Sequence, residues 1–539
     1  MTAYVDESFT SLECDILRRY FTNLDQPVFA LVNLPEVVKG ALFARYSRSS
    51  KSLRRLFLDE FVDDLDLKGD ETVDATVGLH RAEDLYERVF VEYGDDSVAQ
   101  LGGVHLACEY ASNVLTKILE WGRLMAYLEQ STRYVAYDSR LPSGHYRYHR
   151  DPEILSSPYG ALYVGEMDRM FDTYAALLPQ MQSFLLRRYP RQIADTELLH
   201  RQAIRAKALD SLRGLLPAGS LANVGMYGTG QSYELLVMKL RRHPLPEARL
   251  YGDMILAELR KVIPSFLSRI DRPDRGIAWS DYLANTKVSA QEAARAVEMN
   301  HGLGPQPNCA QSSVKLLDWD VRGEDKVLAA ILFEFSHRSE EELLDVVASM
   351  SSEERRDLIR AYAGTRINRR HRPGRAFERT SYRFEVVTDY GAFRDLQRHR
   401  MLTLQWQALD PHLGYELPAL VEEAGFSGQY RESMERSEEL YWSLAASMPD
   451  HAGYAVALGY RVRCVLQMNA REAMHVIELR SQPQGHQSYR YVAQQMHRLI
   501  SEQADHQMIA DAMGFVDYSS VELERLAEQR RTQSRQSGI

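Results

Sequence analysis

Three segments in the first half of the chain recur, in the same order, in its second half. The aligned pairs are Ala41–Ser50 with Ala330–Ser339, the segment around Arg123 with that around Arg400, and Gln231–Arg241 with Ala470–Arg480. The offset between the partners shrinks along the chain while their order is kept, as expected of a duplication whose second copy lost loops. The chain is therefore predicted to contain two repeats of one ancestral fold.

Composition indicates a globular protein with more than one core. The chain has 539 residues, of which 45% are apolar and 26% charged, enough for two or more domains. A net charge of −10 argues against bulk nucleic-acid binding, which leaves a basic footprint. The N-terminus lacks the pattern of a signal peptide, and no stretch approaches the roughly 18 apolar residues of a membrane span. We therefore expect a soluble cytoplasmic protein with neither nucleic acid nor membrane as partner.

The cysteines and histidines indicate no metal or disulfide framework. Four cysteines are widely separated and share no C-x-x-C spacing: Cys14, Cys108, Cys309 and Cys464. This pattern predicts neither disulfides nor structural zinc. His145 and His149 are four residues apart, but the surrounding sequence shows arginines rather than ligands, so no metal site is expected. Ser488 has no base and orienting acid in sequence, which disfavours a serine hydrolase.

The hydrophobic periodicity predicts an α+β fold, mostly helical, with a small mostly antiparallel sheet in each repeat. One strand and four helices stand out: Tyr382–Val387, and then Leu235–Leu240, Tyr251–Phe266, Ala473–Leu479 and Tyr489–Ile500. The Gly/Pro-rich stretch His301–Cys309 is the predicted junction. The predicted boundaries are 1–300 for the first repeat, 310–528 for the second and 529–539 for a flexible tail.

The second repeat concentrates cationic side chains in two segments. Arg398, His399 and Arg400 are consecutive. Because these cationic side chains repel one another, they would not stabilise a structural core. Several phosphates would supply the missing charge, because guanidinium groups bind oxyanions bidentately. A solvated basic turn is the alternative for an isolated triplet. Farther on, a helical segment would place Arg471 and His475 on one face.

The first repeat carries a different polar set. Glu129-Gln-Ser-Thr-Arg-Tyr134 has a hydroxyl and an arginine two residues apart, and Arg213 stands four residues before Pro217. Alone, the first segment could be a helix end followed by a polar turn. Together, two arginines and a hydroxyl form a plausible cradle for a nucleoside monophosphate.

These segments resemble complementary halves of the signature R-H-R-x-x-S-x-N-E-x-S-x-R-Y of the flavin-dependent thymidylate synthases. Asn469–Arg480 is also similar to that family's N-x-R-x-L-x-H/N-F-L-x-L-R. The resemblance implies FAD contacts from His399, Arg400, Asn469, Arg471, His475 and, in a segment similar to S-x-F-E-H, Glu378. It implies catalytic positions beside the pyrimidine for Arg398, Arg480 and Glu129. It implies nucleotide contacts from Ser131, Arg133, Arg213 and the adjoining Gln130.

Each repeat has lost what the other keeps. In the first repeat, Trp121-Gly122-Arg123 replaces R-H-R, and Gly230, Ser232 and Leu236 align with the flavin-binding polar residues. In the second, Trp406, Ala408, Asp410 and Pro411 replace glutamate, serine, arginine and tyrosine, and Gly453 replaces the arginine before proline. In the family the two sets come from different subunits of a homotetramer. A homodimer forming a pseudo-tetramer is therefore expected, with composite sites either within one chain or between two.

The resulting hypothesis is an FAD-dependent C5-methylation of a uridine monophosphate, dUMP to dTMP. By resemblance, methylenetetrahydrofolate supplies the carbon, and NADPH reduces the flavin. Two alternatives stay open. One is a flavin- or nucleotide-binding pseudoenzyme with a regulatory role, because Thr403 and Gln405 also depart from the signature. The other is a related C5-methylase acting on another pyrimidine nucleotide in specialised metabolism.

Overall fold

The protein is described by a computed structural model that covers residues 7–62, 100, 102–192, 195–303, 311–520, 522–523 and 526. Residues 304–309 of the predicted junction and the predicted tail 529–539 lie outside this range. No helix in the described part of the chain combines the length and apolar character needed to cross a bilayer.

Within the described residues, eight strands form two four-stranded antiparallel sheets. In chain order they are β1 Val28–Leu31, β2 Gly103–Ser112, β3 Met125–Glu129, β4 Leu221–Thr229, β5 Ser313–Trp319, β6 Ser381–Asp389, β7 Thr403–Trp406 and β8 Arg461–Asn469. The first sheet has the order β1-β2-β4-β3 and the second β5-β6-β8-β7. The predicted strand over Tyr382–Val387 is confirmed as part of β6. The same strand order occurs once per repeat, as a duplication requires.

Helices dominate the remainder, so the predicted α+β class is confirmed. They are α1 Ser11–Leu17, α2 Glu36–Tyr46, α3 Leu53–Glu60, α4 Asn113–Leu119, α5 Pro152–Ser156, α6 Gly160–Arg188, α7 Glu197–Leu212, α8 Gly230–Arg241, α9 Pro246–Leu259, α10 Ala278–Asn300, α11 Gly323–Glu334, α12 Glu340–Ser349, α13 Ser352–Ala363, α14 Tyr390–Leu396, α15 Ala419–Glu423, α16 Ser427–Ala445, α17 Pro449–Ala452, α18 Ala470–Arg480, α19 Gln487–Glu502 and α20 Gln507–Ala512. Short 3₁₀ or π turns cover Arg213–Leu215, Pro264–Leu267, Pro273–Ile277, Arg375–Arg379 and Gly453–Ala455.

One predicted helix is shorter than expected. The prediction extended it from Tyr251 to Phe266, whereas α9 ends at Leu259 and a separate 3₁₀ turn begins at Pro264. Proline disfavours helical geometry in the residue before it, and Ile263 accordingly has φ −133° and ψ 51°. The other three predicted helices lie within α8, α18 and α19.

The two repeats align one residue away from the register inferred from sequence. Thr229 caps α8 by accepting the Ser232 N–H, and Asn469 caps α18 by accepting the Glu472 N–H. The two caps are therefore equivalent. The first-repeat residues corresponding to Arg471, Glu472, His475 and Arg480 are then Gln231, Ser232, Leu235 and Leu240. The predicted correspondence of Gly230, Ser232 and Leu236 with Asn469, Arg471 and His475 is therefore wrong by one residue.

The described chain forms two compact units that do not follow chain order. The first unit comprises Met1–Ala176, Leu216–Gln306 and Glu435–Val456, and the second comprises Leu177–Leu215, Pro307–Met434 and Ala457–Ile539. Each unit therefore contains a helical segment from the other repeat. Arg213 belongs to the first repeat by sequence but to the second unit by structure.

Each unit has a buried core behind its sheet. In the first, Phe29 and Leu31 on β1 pack with Phe21, Phe57 and other apolar side chains of α1–α3. In the second, the fully buried residues include Phe384 and Leu466 on the central strands and Ile477 on α18. Burial of this apolar surface is the main stabilising contribution, and it fixes α18 with its polar face turned away from the core.

Candidate active site

Arg480 is the centre of a polar cluster in the second unit. Its Nε donates to Nε2 of His399 at 2.9 Å, and its Nη1 lies 3.7 Å from Oδ1 of Asp395. Because the guanidinium always donates, His399 accepts through Nε2 and is neutral. Burial lowers the pKa of His399 well below its usual value, and Arg480 and His475 lower it further. Two predicted site residues thus meet in a direct hydrogen bond.

Asp395 connects Arg480 to the predicted nucleotide-binding arginine of the first repeat. Arg213 is buried, and its Nη1 lies 3.9 Å from Oδ2 of Asp395. Its guanidinium also faces Asp389, to which Nη2 donates at 3.4 Å, and Asp210 at 3.9 Å. The exchange of segments therefore brings Arg213 and Arg480, one from each repeat, to the same carboxylate within a single chain.

Glu472 and His475 extend the cluster along α18. Oε1 of Glu472 lies 3.7 Å from Nδ1 of His399, and the His399 and His475 ring centroids are 5.4 Å apart. Burial raises the pKa of Glu472 to about 7, although Arg372, Arg471 and Arg400 oppose the shift. Burial, reinforced by nearby arginines, lowers the pKa of His475 to about 4. At neutral pH both imidazoles are uncharged, and the carboxyl is poised between its two protonation states.

The same three side chains could approach one metal ion, but their surroundings disfavour a cation. Ligand atoms of His399, Glu472 and His475 lie within 4.8 Å of one another. However, Nε2 of His399 already accepts from Arg480, and Nη2 of Arg372 lies 3.3 Å from Nδ1 of His475. A divalent cation would be repelled by these guanidinium groups. The cluster is better suited to an anionic ligand.

Two other residues predicted to contact FAD, Asn469 and Arg471, lie at the beginning of α18. Arg471 donates to Oε1 of Glu378 at 3.2 Å and, through Nε, to the Pro373 carbonyl at 2.9 Å. Asn469 uses its side-chain oxygen to cap the helix. Arg398 is half-buried and Arg400 exposed. Guanidinium groups outnumber carboxylates here, which fits a flavin dinucleotide with its pyrophosphate and its anionic reduced form.

The predicted residues of the E-x-S-x-R-Y segment lie in the first unit. Glu129 is buried, and its Oε2 accepts from Nζ of Lys117 at 3.2 Å. Gln130 is buried too, and its Nε2 donates to the Ser49 carbonyl at 2.5 Å. Ser131 and Arg133 are half-buried, and the Ser131 hydroxyl accepts the Arg133 backbone N–H at 3.3 Å. Glu129 and Gln130 are thus engaged within the unit, whereas Ser131 and Arg133 are more accessible.

A cavity of about 660 Å³ lies in the second unit, with Arg213 on its wall. Other charged lining residues are Lys207, Asp210, Asp389, Glu416 and Arg461. The segment Gly485–Tyr491 supplies His486, Ser488 and Tyr491 to the wall. Asp395 and Glu472 were not predicted from the sequence as members of the site. Asp395 stands three residues before the cationic triplet, and this proximity is a signal that could have identified it.

The corresponding corner of the first unit contains a network of polar side-chain contacts. His149, which seemed to lack acidic neighbours in sequence, has Nε2 3.4 Å from Oδ2 of Asp151 and Nδ1 3.7 Å from Oε1 of Glu247. Glu247 also accepts from the Ser112 and Tyr454 hydroxyls. Asp151, Glu247, Ser112 and Tyr454 are buried, so these contacts are internal to the first unit.

Comparison with known proteins agrees with this architecture. The family model "Thymidylate synthase complementing protein" matches residues 41–265 and 315–505. Relatives named "UPF0159 protein" occur in Chlamydia pneumoniae, with 40% identity over 98% of both chains, and in Thermoplasma acidophilum, with 31% identity over 93% of this chain and 99% of the relative.

A solved structure, a UMP/dUMP methylase PolB from Streptomyces cacaoi bound with 5-Br dUMP, is 18% identical with a TM-score of 0.30. The match covers 38% of this chain and 96% of that one. The two regions matched by the family model confirm the tandem prediction and the prediction of a flavin-dependent thymidylate synthase-like methyltransferase. The chain belongs to the thymidylate synthase complementing protein family.

Proposed function

We propose that the protein methylates C5 of a uridine monophosphate, converting dUMP to dTMP. In this proposal methylenetetrahydrofolate is the carbon donor and NADPH the source of reducing equivalents. The observation that carries the proposal is the shared carboxylate: Arg213 and Arg480, predicted for nucleotide and pyrimidine respectively, both face Asp395 in one unit. A purely structural remnant has no need to hold two arginines on one carboxylate, one of them buried on the wall of a cavity.

Arg480 and Arg398 would stabilise negative charge that develops on the pyrimidine ring. Arg480 is held in place before substrate arrives, by His399 on one side and Asp395 on the other. A donor fixed in advance needs no reorganisation during the reaction, and such preorganised electrostatics is a large part of catalysis. The Arg480 side chain is only 14% exposed. Because little solvent surrounds its guanidinium, its interaction with charge on the ring is stronger than it would be in water.

FAD, when bound, would supply hydride-transfer chemistry that no side chain provides. The residues to hold it are His399, Arg400, Asn469, Arg471, His475 and Glu378. His399 and His475 are neutral in the cluster and can act as donors or acceptors toward a polar ring edge. Arg471 can exchange its contact with Glu378 for a contact with an oxyanion, at modest cost because both side chains are half-buried.

The nucleotide would be oriented through its phosphate. Arg213 faces three carboxylates, and a bound phosphate would compete with them for the guanidinium. Ser131, Arg133 and Gln130 stay as predicted nucleotide contacts, and Glu129 as a predicted neighbour of the pyrimidine. Fixing the nucleotide in this way lowers the entropic barrier to reaction.

The test is turnover by purified protein. Protein loaded with FAD should show flavin absorbance that changes when dUMP is added, and it should form dTMP from dUMP, methylenetetrahydrofolate and NADPH. UMP in place of dUMP tests the alternative of a related nucleotide methylase. Protein that takes up no FAD and forms no methylated nucleotide would refute the proposal and favour the pseudoenzyme.

A further inference from the structure

One loop of the second unit is far more basic than the chain around it. Residues 358–377 contain six arginines and no aspartate or glutamate, in a chain whose net charge is −10. Five of these arginines lie in residues 365–375, the arginine loop, between α13 and the turn that carries Glu378. Like charges crowded together raise the free energy of the folded state, so the arrangement is most easily understood if an anion joins it.

Two contacts fix the arginine loop against α18. Arg366 forms a bidentate pair with Glu478, donating to Oε1 at 2.7 Å, and its Nε donates to the His371 carbonyl at 2.6 Å. Arg471 donates to the Pro373 carbonyl from the other side. One loop arginine is thus used to hold the loop in shape, which leaves the others displayed at defined positions.

Of the other four loop arginines, Arg375 pairs with Glu378 at 3.0 Å, and the remaining three form no ion pair with a described carboxylate. The guanidinium groups of Arg369 and Arg370 form no hydrogen bond or ion pair with any described residue, and Arg370 is exposed. The backbone N–H of Arg370 bonds to Oδ1 of Asn368, which fixes the local turn. Arg372 contacts Nδ1 of His475, an uncharged partner. Three guanidinium groups therefore lie on a fixed loop beside the His399–Glu472–His475 cluster without an ion pair to any described carboxylate.

We propose that the arginine loop binds a flexible oxyanion tail of a cosubstrate, with Arg369 and Arg370 as its principal ligands. The inference rests on the proposed function, which requires two anionic cosubstrates next to this cluster. Phosphate and carboxylate groups both match the planar fork of arginine. The tail could be the oligoglutamate chain of the folate or the additional phosphate that distinguishes NADPH from NADH. The loop supplies the same chemistry for either.

The test compares tailed and tailless ligands on FAD-loaded protein. Equilibrium dissociation constants are measured for pentaglutamyl and monoglutamyl tetrahydrofolate, and for NADP⁺ and NAD⁺. The variant is Arg369→Gln/Arg370→Gln. Its matched control is Arg356→Gln/Arg360→Gln, which removes the same charge from the exposed face of α13, where Arg360 contacts Asp357.

In the wild type and the control, the tailed member of at least one pair should bind about tenfold or more tightly than its tailless partner. In the loop variant this preference should fall to near one, while FAD retention is unchanged. If the preference is lost only between the two folates, the loop binds the glutamate tail. If it is lost only between NADP⁺ and NAD⁺, the loop binds the additional phosphate.

An unchanged preference in the loop variant, or an equal loss in the control, would overturn the proposal. Because these are binding measurements, they remain informative if dUMP is not turned over. A failure of the proposed reaction and a failure of this site are therefore distinguishable.

Discussion

Corresponding corners of the two units are built on the same backbone and used differently. Ser112 and Asp389 each cap the helix after the second strand of their sheet. His149 and Glu416 each donate a backbone N–H to an equivalent glycine carbonyl, Gly219 or Gly459. Yet in the first unit buried Glu247 and Tyr454 contact each other at this corner, and in the second the corner borders a cavity of about 660 Å³.

Glu247 and Tyr454 occupy this corner in the first unit. Glu247 accepts the backbone N–H and hydroxyl of Ser112 at 2.9 and 2.6 Å and the hydroxyl of Tyr454 at 2.8 Å. In the second unit, Gly214 occupies the position that corresponds to Tyr454 of the first unit. Arg213 occupies the position that corresponds to Gly453. A packed corner stabilises the fold, whereas an open polar cavity lowers stability and is typical of a binding site.

The largest expected effect separates the two corresponding helices. Arg480→Ala removes the donor held between His399 and Asp395, and should lower kcat/KM for dUMP by about 10²–10³, as for loss of one preorganised donor. Arg241→Ala, at the end of the corresponding helix, removes surface ion pairs with Asp253 and Asp271. That control should stay within about twofold of wild type, since exposed ion pairs contribute little. Equal losses in steady-state kinetics would erase the distinction between the helices.

The assembly of the site can be tested with the same arginine. Arg213→Ala and Arg480→Ala should each be inactive, and both residues face Asp395 in one chain. After mixing under conditions that allow subunit exchange, every chain still carries one lesion next to Asp395, so we expect no recovery of dTMP formation. Recovery approaching a quarter of the wild-type rate would instead mean that these arginines act across chains.

Loss of a buried carboxylate in the first unit should lower the stability of the protein. Glu247→Ala leaves three buried donors without an acceptor and should lower the free energy of unfolding by about 3 kcal/mol, at roughly 1 kcal/mol per stranded group. Ser488→Ala, on the wall of the open cavity, should change it by less than about 0.5 kcal/mol. Urea denaturation monitored by circular dichroism measures both. Comparable losses would show that the second corner is as closely packed as the first.

Much of this comparison could be anticipated from sequence, but not its geometry. The strand β6 and helices α8, α18 and α19 follow from periodicity because each buries one face. The one-residue register error arose because Gly230, Gln231 and Ser232 offer no chemical anchor, whereas the caps Thr229 and Asn469 would have supplied one. The exchange of Leu177–Leu215 and Glu435–Val456 depends on long-range packing, which has no local signal.

The candidate site shows the same limit. The triplet Arg398–Arg400 and the pattern from Asn469 to Arg480 are recognisable because several polar residues recur at fixed spacing. Asp395 and Glu472 are single carboxylates without a spacing pattern, so only their contacts with Arg480 and His399 reveal them. Glu129 illustrates the converse: its motif predicts a role beside the substrate, whereas its contacts place it in a buried pair with Lys117.

Glu472 gives α18 a pH-dependent contribution to stability that the corresponding residue of α8, Ser232, cannot make. Its pKa is raised from 4.5 to about 7, so the folded state favours the protonated form, and that contribution is lost as pH rises from below 4.5 through about 7. Wild-type protein should therefore lose about 2 kcal/mol relative to Glu472→Gln between pH 5 and pH 8. Its counterpart Ser232→Ala should show no such change relative to wild type. Urea titrations of FAD-free protein at both pH values measure the difference, and parallel curves would contradict the assignment.

The smallest effect concerns the flavin. Arg471→Ala removes a guanidinium whose present partners, Glu378 and the Pro373 carbonyl, can be exchanged for an oxyanion. We expect FAD affinity to fall by about tenfold, which corresponds to about 1.4 kcal/mol, the lower end of a charge-assisted contact. The matched change in the first repeat is Gln231→Ala, where the side chain bonds only to Gln100 among the contacts described. Fluorescence titration of FAD into apoprotein measures both. Because the two positions are equivalent in the corrected register, equal flavin loss would mean that both repeats still bind flavin, and the division of labour between them would be wrong.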